Sequence, residues 1–203
     1  MQLSKLIKNY DRFKDDNYLV ELCLAQLFYV ICTRPEKNFI RTGIFKFSNL
    51  QIFKLVTMLH LAIVNGPNLN LIGIREPHIY GNQSFDHYFA QLTDRFPLVS
   101  LHYYQSNIEG ELINHLHGCM GKVHGIILNA GGYTHTSIAL ADAISAISIP
   151  VVEVHISNIL AREEYRKTSF TAAKCVGSIN GLGMDGYALA VQYFVDNPPP
   201  LSP

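Results

Sequence analysis

The chain has 203 residues, 48% of them hydrophobic and 16% charged, with no net charge. That balance suits one globular domain with residues to spare and excludes a disordered chain. No segment carries a basic stripe, which argues against non-specific nucleic-acid binding.

The first 57 residues are rich in Lys, Phe, Tyr and Ile but show no clear helical or strand period. Their longest apolar run, 19–32, is broken by Glu21 and Gln26. It is too short and too polar for a bilayer span of roughly 20 apolar residues. Asp15 and Asp16 precede it and no small-residue cleavage site follows, so it is a poor signal peptide. Cys23, Cys32, Cys119 and Cys175 form no CxxC pair and fit no metal spacing, which points to a reducing cytoplasm.

From Met58 onward, strands and helices alternate. Strands are expected at 60–65, 98–105, 125–129, 150–155 and 175–179. Helices are expected at 84–96, 108–120, 137–147 and 184–195. The tail, 198–203, is Pro-rich and ends the fold. Five strands alternating with helices predict an α/β fold with a doubly wound parallel sheet, in the flavodoxin-like order 2-1-3-4-5. Ligands then bind beyond the carboxyl ends of the strands, at the switch point between strands one and three.

Three of the short apolar runs end in polar clusters. Residues 61–64 lead into Asn65-Gly66-Pro67-Asn68. Residues 125–128 lead into Asn129-Ala130-Gly131-Gly132-Tyr133-Thr134-His135-Thr136-Ser137. Residues 149–154 lead into His155-Ile156-Ser157-Asn158. One shared polar pocket is expected, accepting a small molecule.

Glu153 and His155 are two apart on a strand and share a face, so the carboxylate can orient the imidazole and favour its protonated form. Such a His is a general acid, or else it simply bonds a backbone carbonyl. The long loop 69–82 is of lid length and holds Arg75 and Tyr80. A cation beside a phenol lowers a pKa ordinarily near 10 and makes the Tyr a base. Alternatively Arg75 is solvated and Tyr80 anchors the loop. Ser137 or Thr136 can cap the helix after His135, where free amides suit a carboxylate. Ile156 and Ser157 could serve the same anion. Arg162 and Arg166 could clamp a ligand or form surface pairs with Glu163 or Glu164. The glycines at 181, 183 and 186 lack the nucleotide-binding spacing and read as a strand-to-helix turn, with phosphate binding as the alternative. The histidines form no metal-ligand spacing.

Read together in order, these segments closely resemble the type II 3-dehydroquinate dehydratases. The motifs are Asn65-Gly66-Pro67-Asn68-Leu69-Asn70, Arg75-Glu76-Pro77-His78-Ile79-Tyr80-Gly81 and Gln105-Ser106-Asn107-Ile108-Glu109-Gly110-Glu111. The set continues through Asn129 to Ser137, Glu153-Val154-His155-Ile156-Ser157-Asn158, Ala161-Arg162-Glu163 and Gly181-Leu182-Gly183. The resemblance spans about 59–196. It implies conversion of 3-dehydroquinate to 3-dehydroshikimate without metal or organic cofactor, by anti elimination through an enolate. It also implies a dodecamer built as a tetramer of trimers. Carried over by position, Tyr80 is the base with Arg75 beside it, and His155 is the acid with Glu153 behind it. Asn68 holds a water against the enolate oxygen. Asn129, Gly132 and His135 hold substrate hydroxyls, and Ile156 and Ser157 hold the carboxylate. Arg166 contacts ring hydroxyls, Arg162 helps close the lid, and Asp142 reaches a neighbouring subunit's site.

Three departures accompany the resemblance. Ala141 stands where many relatives carry Arg, Lys167-Thr168 replaces a more basic or His-rich pair, and residues 1–57 match nothing in the family. Either translation begins at Met58 or those residues are a genuine extension. The same reaction could serve quinate catabolism, and a non-catalytic flavodoxin-like binding module is the reading from another class.

Overall fold

The computed structural model describes residues 58–73 and 83–201. The expected N-terminal extension, together with Arg75 and Tyr80, lies outside the described residues. The strands are β1 (Leu59–Asn65), β2 (Val99–Gln105), β3 (Gly125–Asn129), β4 (Val151–His155) and β5 (Gly177–Asn180). The helices are α1 (Phe85–Arg95), α2 (Glu109–Gly118), α3 (Ile138–Ala146) and α4 (Asp185–Asp196). The five strands form one parallel sheet in the order β2-β1-β3-β4-β5, the flavodoxin-like order expected from the alternation of elements.

Both faces of the sheet are covered, which is why its strands read as continuous apolar runs. Leu61 and Ile63 of β1, Ile127 of β3 and Val154 of β4 pack with Phe85 and Leu92 of α1 and with Tyr187 and Val191 of α4. The alternate residues Ala62, Val64, Ile126 and Leu128 pack with Leu112 and Leu116 of α2 and with Leu140 and Ile144 of α3. Each fully buried Leu or Ile contributes about 1.5–3 kcal/mol relative to an exposed one. Gly125 is required by this packing, because a Cβ there would lie 2.5 Å from the Phe194 ring.

Local signals set the helix ends. The Ser84 hydroxyl accepts the His87 N–H at 3.3 Å to cap α1. The Ser137 hydroxyl accepts the Leu140 N–H at 2.8 Å to cap α3. The expected strand at 175–179 is displaced. Cys175 instead closes a 3-10 turn, Ala172–Lys174, and β5 pairing begins only where Gly177 meets Val152. His115 of α2 is half-buried, stacked on Tyr104 with ring centroids 3.9 Å apart.

Candidate active site

β1 and β3 end side by side, with Asn65 in register with Asn129. The chains stay close beyond that point. The Gly66 N–H donates to the Asn129 carbonyl at 2.7 Å, and a Cβ on Gly66 would lie 2.4 Å from the Ala130 carbonyl oxygen. Only glycine allows that approach. A cleft of about 210 Å³ opens here, just outside the carboxyl ends of β1, β3 and β4. Asn68, Leu69, Leu71 and Ile72 line it after β1; Asn129, Gly131, Gly132 and His135 after β3; and His155, Ile156, Ser157, Ile159, Arg162 and Arg166 after β4. Nine residues singled out from sequence thus meet around one cavity: Asn68, Asn129, Gly132, His135, His155, Ile156, Ser157, Arg162 and Arg166.

Glu153 does not line the cleft. It sits beneath His155, wholly buried, with Oε2 3.2 Å from His155 Nε2. That nitrogen has no hydrogen-bond partner, so the contact has ion-pair distance without the angle a directed N–H···O bond needs. Hydroxyls surround the carboxylate. Oε1 accepts from Thr134 at 3.2 Å, from Ser169 at 3.0 Å and from Thr171, and Oε2 accepts from Ser178 at 3.1 Å. Burial works to raise the Glu153 pKa, but His155 and the Thr171 and Ser169 hydroxyls outweigh it and hold the carboxyl below its ordinary value. The His155 ring stacks on His135 at 6.3 Å, and His135 Nδ1 lies 2.7 Å from the Thr168 carbonyl oxygen.

Asn129 is held from behind by a residue the sequence reading did not single out. Its Nδ2 donates to the Tyr187 hydroxyl at 2.9 Å, which in turn donates to Asn65 Oδ1 at 2.8 Å. Its Oδ1 accepts the Gly131 N–H at 3.2 Å. Burial pushes the Tyr187 hydroxyl far above its ordinary pKa, so it remains a protonated donor. Asn68 takes a left-handed conformation, φ 66°, which asparagine tolerates, and its N–H donates to Asn107 Oδ1 at 2.9 Å.

The two arginines occupy both positions that sequence allowed. They line the cleft, and both also approach the exposed Glu163, Arg166 Nε at 2.9 Å and Arg162 Nε at 3.5 Å. Arg162 Nη1 also donates to the Ser157 hydroxyl at 3.4 Å. Asp142 stands apart from the cleft on the exposed face of α3. The glycine segment after β5 forms a tight turn. Gly181 and Gly183 have φ of 82° and 61°, and their N–H groups donate to the carbonyls of His155 and Ile156 at 3.1 and 3.0 Å. These amides brace the site backbone. Among the described residues, no group of three His, Cys, Asp or Glu side chains is arranged to hold a metal ion.

Residues 59–195 match the family model described as dehydroquinase class II. The chain belongs to the class II dehydroquinase family. It is 50% identical over 141 residues to the 3-dehydroquinate dehydratase of Fusobacterium nucleatum, covering 67% of this chain and 96% of that protein. It is 51% identical over 140 residues to the 3-dehydroquinate dehydratase of Exiguobacterium sp., covering 68% of this chain and 96% of that protein. Among solved structures, the type II dehydroquinase from Butyrivibrio crossotus superposes with a TM-score of 0.66 at 38% identity. That alignment covers 68% of this chain and 97% of the other. The Propionibacterium acnes enzyme gives a TM-score of 0.65 at 36% identity over 68% of this chain and 96% of that one. The family match therefore falls on the five-stranded unit and its cleft.

Proposed function

We propose that this chain dehydrates 3-dehydroquinate to 3-dehydroshikimate, a step of the shikimate pathway, as a hydro-lyase. The observation that carries the reading is His155, backed by the buried Glu153, in a cleft lined by the family's motif residues. The reaction removes a proton from C2 and hydroxide from C1, and the two leave as water. The proton is only moderately acidic and hydroxide is a poor leaving group, so a base and an acid are both needed. Tyr80, with Arg75 beside it, takes the C2 proton. His155 protonates the departing hydroxyl, with Glu153 stabilising its positive charge. Asn68 holds a water against the enolate oxygen, an electrostatic contribution to the transition state. Asn129, Gly132, His135 and Arg166 bind hydroxyls, Ile156 and Ser157 bind the carboxylate, and Arg162 closes over the bound ring.

The catalytic unit in this reading is residues 58–197, and the protein assembles as a dodecamer, a tetramer of trimers. Support for assembly comes from α3, where Ile138 is 63% exposed one turn before the exposed Asp142 on the same helix face. An interface there would cover the apolar side chain and carry the carboxylate to a neighbouring site. Light scattering of the purified protein tests the assembly. The enzyme works in the cytoplasm in this reading. Among the described residues, no helix is long and apolar enough to cross a membrane.

Ultraviolet absorbance with 3-dehydroquinate tests the activity, because the product is a conjugated enone. The wild-type protein is expected to raise the absorbance, and Tyr80→Phe and His155→Ala each to abolish most of the rise while remaining folded. Near-normal turnover in either variant refutes its role; no turnover by folded, oligomeric wild-type protein refutes the function.

A further inference from the structure

A buried carboxylate facing one imidazole has two ways to share a proton: as an ion pair, or as neutral acid beside neutral imidazole. Only the ion pair leaves a cation able to protonate a leaving group. Burial favours the neutral arrangement. Among the described residues, His155 is the only basic group within ion-pair distance of Glu153. What opposes burial is first the attraction of His155 itself and then a cage of hydroxyls. Thr134 comes from the 3-10 turn Gly131–His135 and Ser178 from β5. Ser169 and Thr171 come from the loop that begins with Arg162 and Arg166. That loop is pinned to the cleft wall by the Phe170 N–H, which donates to the Thr134 carbonyl at 2.9 Å, and is braced internally by the Ala172 N–H, which donates to the Ser169 hydroxyl at 2.8 Å.

We propose that Ser169, Thr171, Thr134 and Ser178 are positioning residues that keep the shared proton on His155 rather than on Glu153. With the hydroxyls donating, the carboxylate stays anionic and the imidazole carries the proton. With donors withdrawn, the proton moves from the imidazole nitrogen to the carboxylate oxygen, the net charge of the pair is unchanged, and the acid is lost. Because two of the four hydroxyls sit on the arginine-bearing loop, the placing of that loop sets the charge of the acid. The other titratable groups do not replace the cage. Burial, reinforced by the Glu153 charge, pushes the Cys175 thiol up to about 12, so it stays neutral. His135 touches the pair only by stacking on His155.

This inference rests on the assignment of His155 as the acid, and its test separates the two. Infrared difference spectra of substrate-free protein report whether a protonated carboxyl C=O band is present, assigned by its absence in Glu153→Gln. The kcat–pH profile is measured beside it with 3-dehydroquinate. At neutral pH the wild type is expected to show no such band, and Thr171→Val and the Ser169→Ala/Thr171→Val pair to show it. Losing one donor to a charged acceptor shifts the balance roughly tenfold or more. In Thr171→Val, kcat is accordingly expected to fall about tenfold with KM little changed, and the alkaline limb, which reports the group that must be protonated, to move up by about one pH unit. Thr171→Ser restores both readouts. Folded variants with no carboxyl band and an unshifted alkaline limb overturn the proposal, even if they are less stable. Should the core variants not fold, Ser178→Ala, at an exposed position of β5, is read by the same two criteria. The infrared change without turnover in the wild type would refute the dehydratase reading and leave the cage standing.

Discussion

Replacing Tyr187 by Phe should cost the protein about 2–4 kcal/mol of stability. Tyr187 is fully buried, and its hydroxyl both accepts from Asn129 Nδ2 and donates to Asn65 Oδ1. Phe keeps the ring and its edge contact with Phe85, at 5.1 Å between centroids, so little packing is lost. What changes is that one buried donor and one buried acceptor lose their partner. Each costs about 1–3 kcal/mol, giving roughly 2–6 kcal/mol together. Asn65 and Asn129 are register neighbours, so partial re-pairing of their amides pulls the expectation to the lower part of that range. Urea unfolding measures it, at one fixed protein concentration because association shifts apparent stability. An unchanged m-value with a lower midpoint is the expected pattern. The same variant should lower kcat/KM, since Asn129 lines the cleft. A stability loss under about 0.5 kcal/mol would falsify the idea that the hydroxyl is what satisfies the two asparagines.

Ser137→Ala removes the cap of α3 and should cost about 1 kcal/mol in the same unfolding assay; no change would mean water replaces the hydroxyl without loss. Gly66→Ala forces a Cβ to within 2.4 Å of a backbone carbonyl oxygen, so the β1 and β3 ends must separate. A drop of about 1–3 kcal/mol or more is expected in thermal unfolding, with a larger proportional loss of turnover than of stability. For Glu153, the folded-state pKa lies below the ordinary value of about 4.3. Its stabilising contribution is therefore complete above that value and is lost as pH falls through the folded-state pKa. Glu153→Gln should flatten the acid side of the stability–pH curve, and an unaltered curve in that variant would contradict the assignment.

The sheet order and the cleft were legible because they depend on short-range patterns. The short apolar stretches of β1, β3 and β4, which end in Asn65, Asn129 and His155, mark parallel strands and their carboxyl ends directly. The Glu153–His155 pair was legible for the same reason, since two residues along a strand share a face. Tyr187 was not. It lies on α4 between apolar neighbours and reads as core, and its partners stand 58 and 122 residues away. The hydroxyls around Glu153 were hidden in the same manner. Ser and Thr side chains carry no local mark of which buried group they face, and Ser178 of β5 is 25 residues from the carboxylate it donates to. The start of β5 was misplaced because Cys175 and Val176 look like strand residues, while the pairing partner that decides the matter, Val152, belongs to another segment.

Two kinds of electrostatics operate in the one cleft, and their magnitudes assign them different tasks. Glu153 and His155 are buried, so breaking their pairing is costly, of the order of 3–5 kcal/mol when one partner of such a pair is removed. A strand at the centre of the wall between two neighbours gives that pair a fixed geometry. Arg162 and Arg166 pair instead with Glu163, which is half exposed, and an exposed ion pair is worth only about 0–1 kcal/mol. Leaving Glu163 for a ligand therefore costs the arginines little, whereas removing either member of the buried pair costs much. The rigid group suits chemistry that must be ready before the ligand arrives. The loosely held group suits recognition that is completed after it arrives. Ser169 and Thr171 lie on the loop that carries the second group and bond to the first, so the two are physically joined.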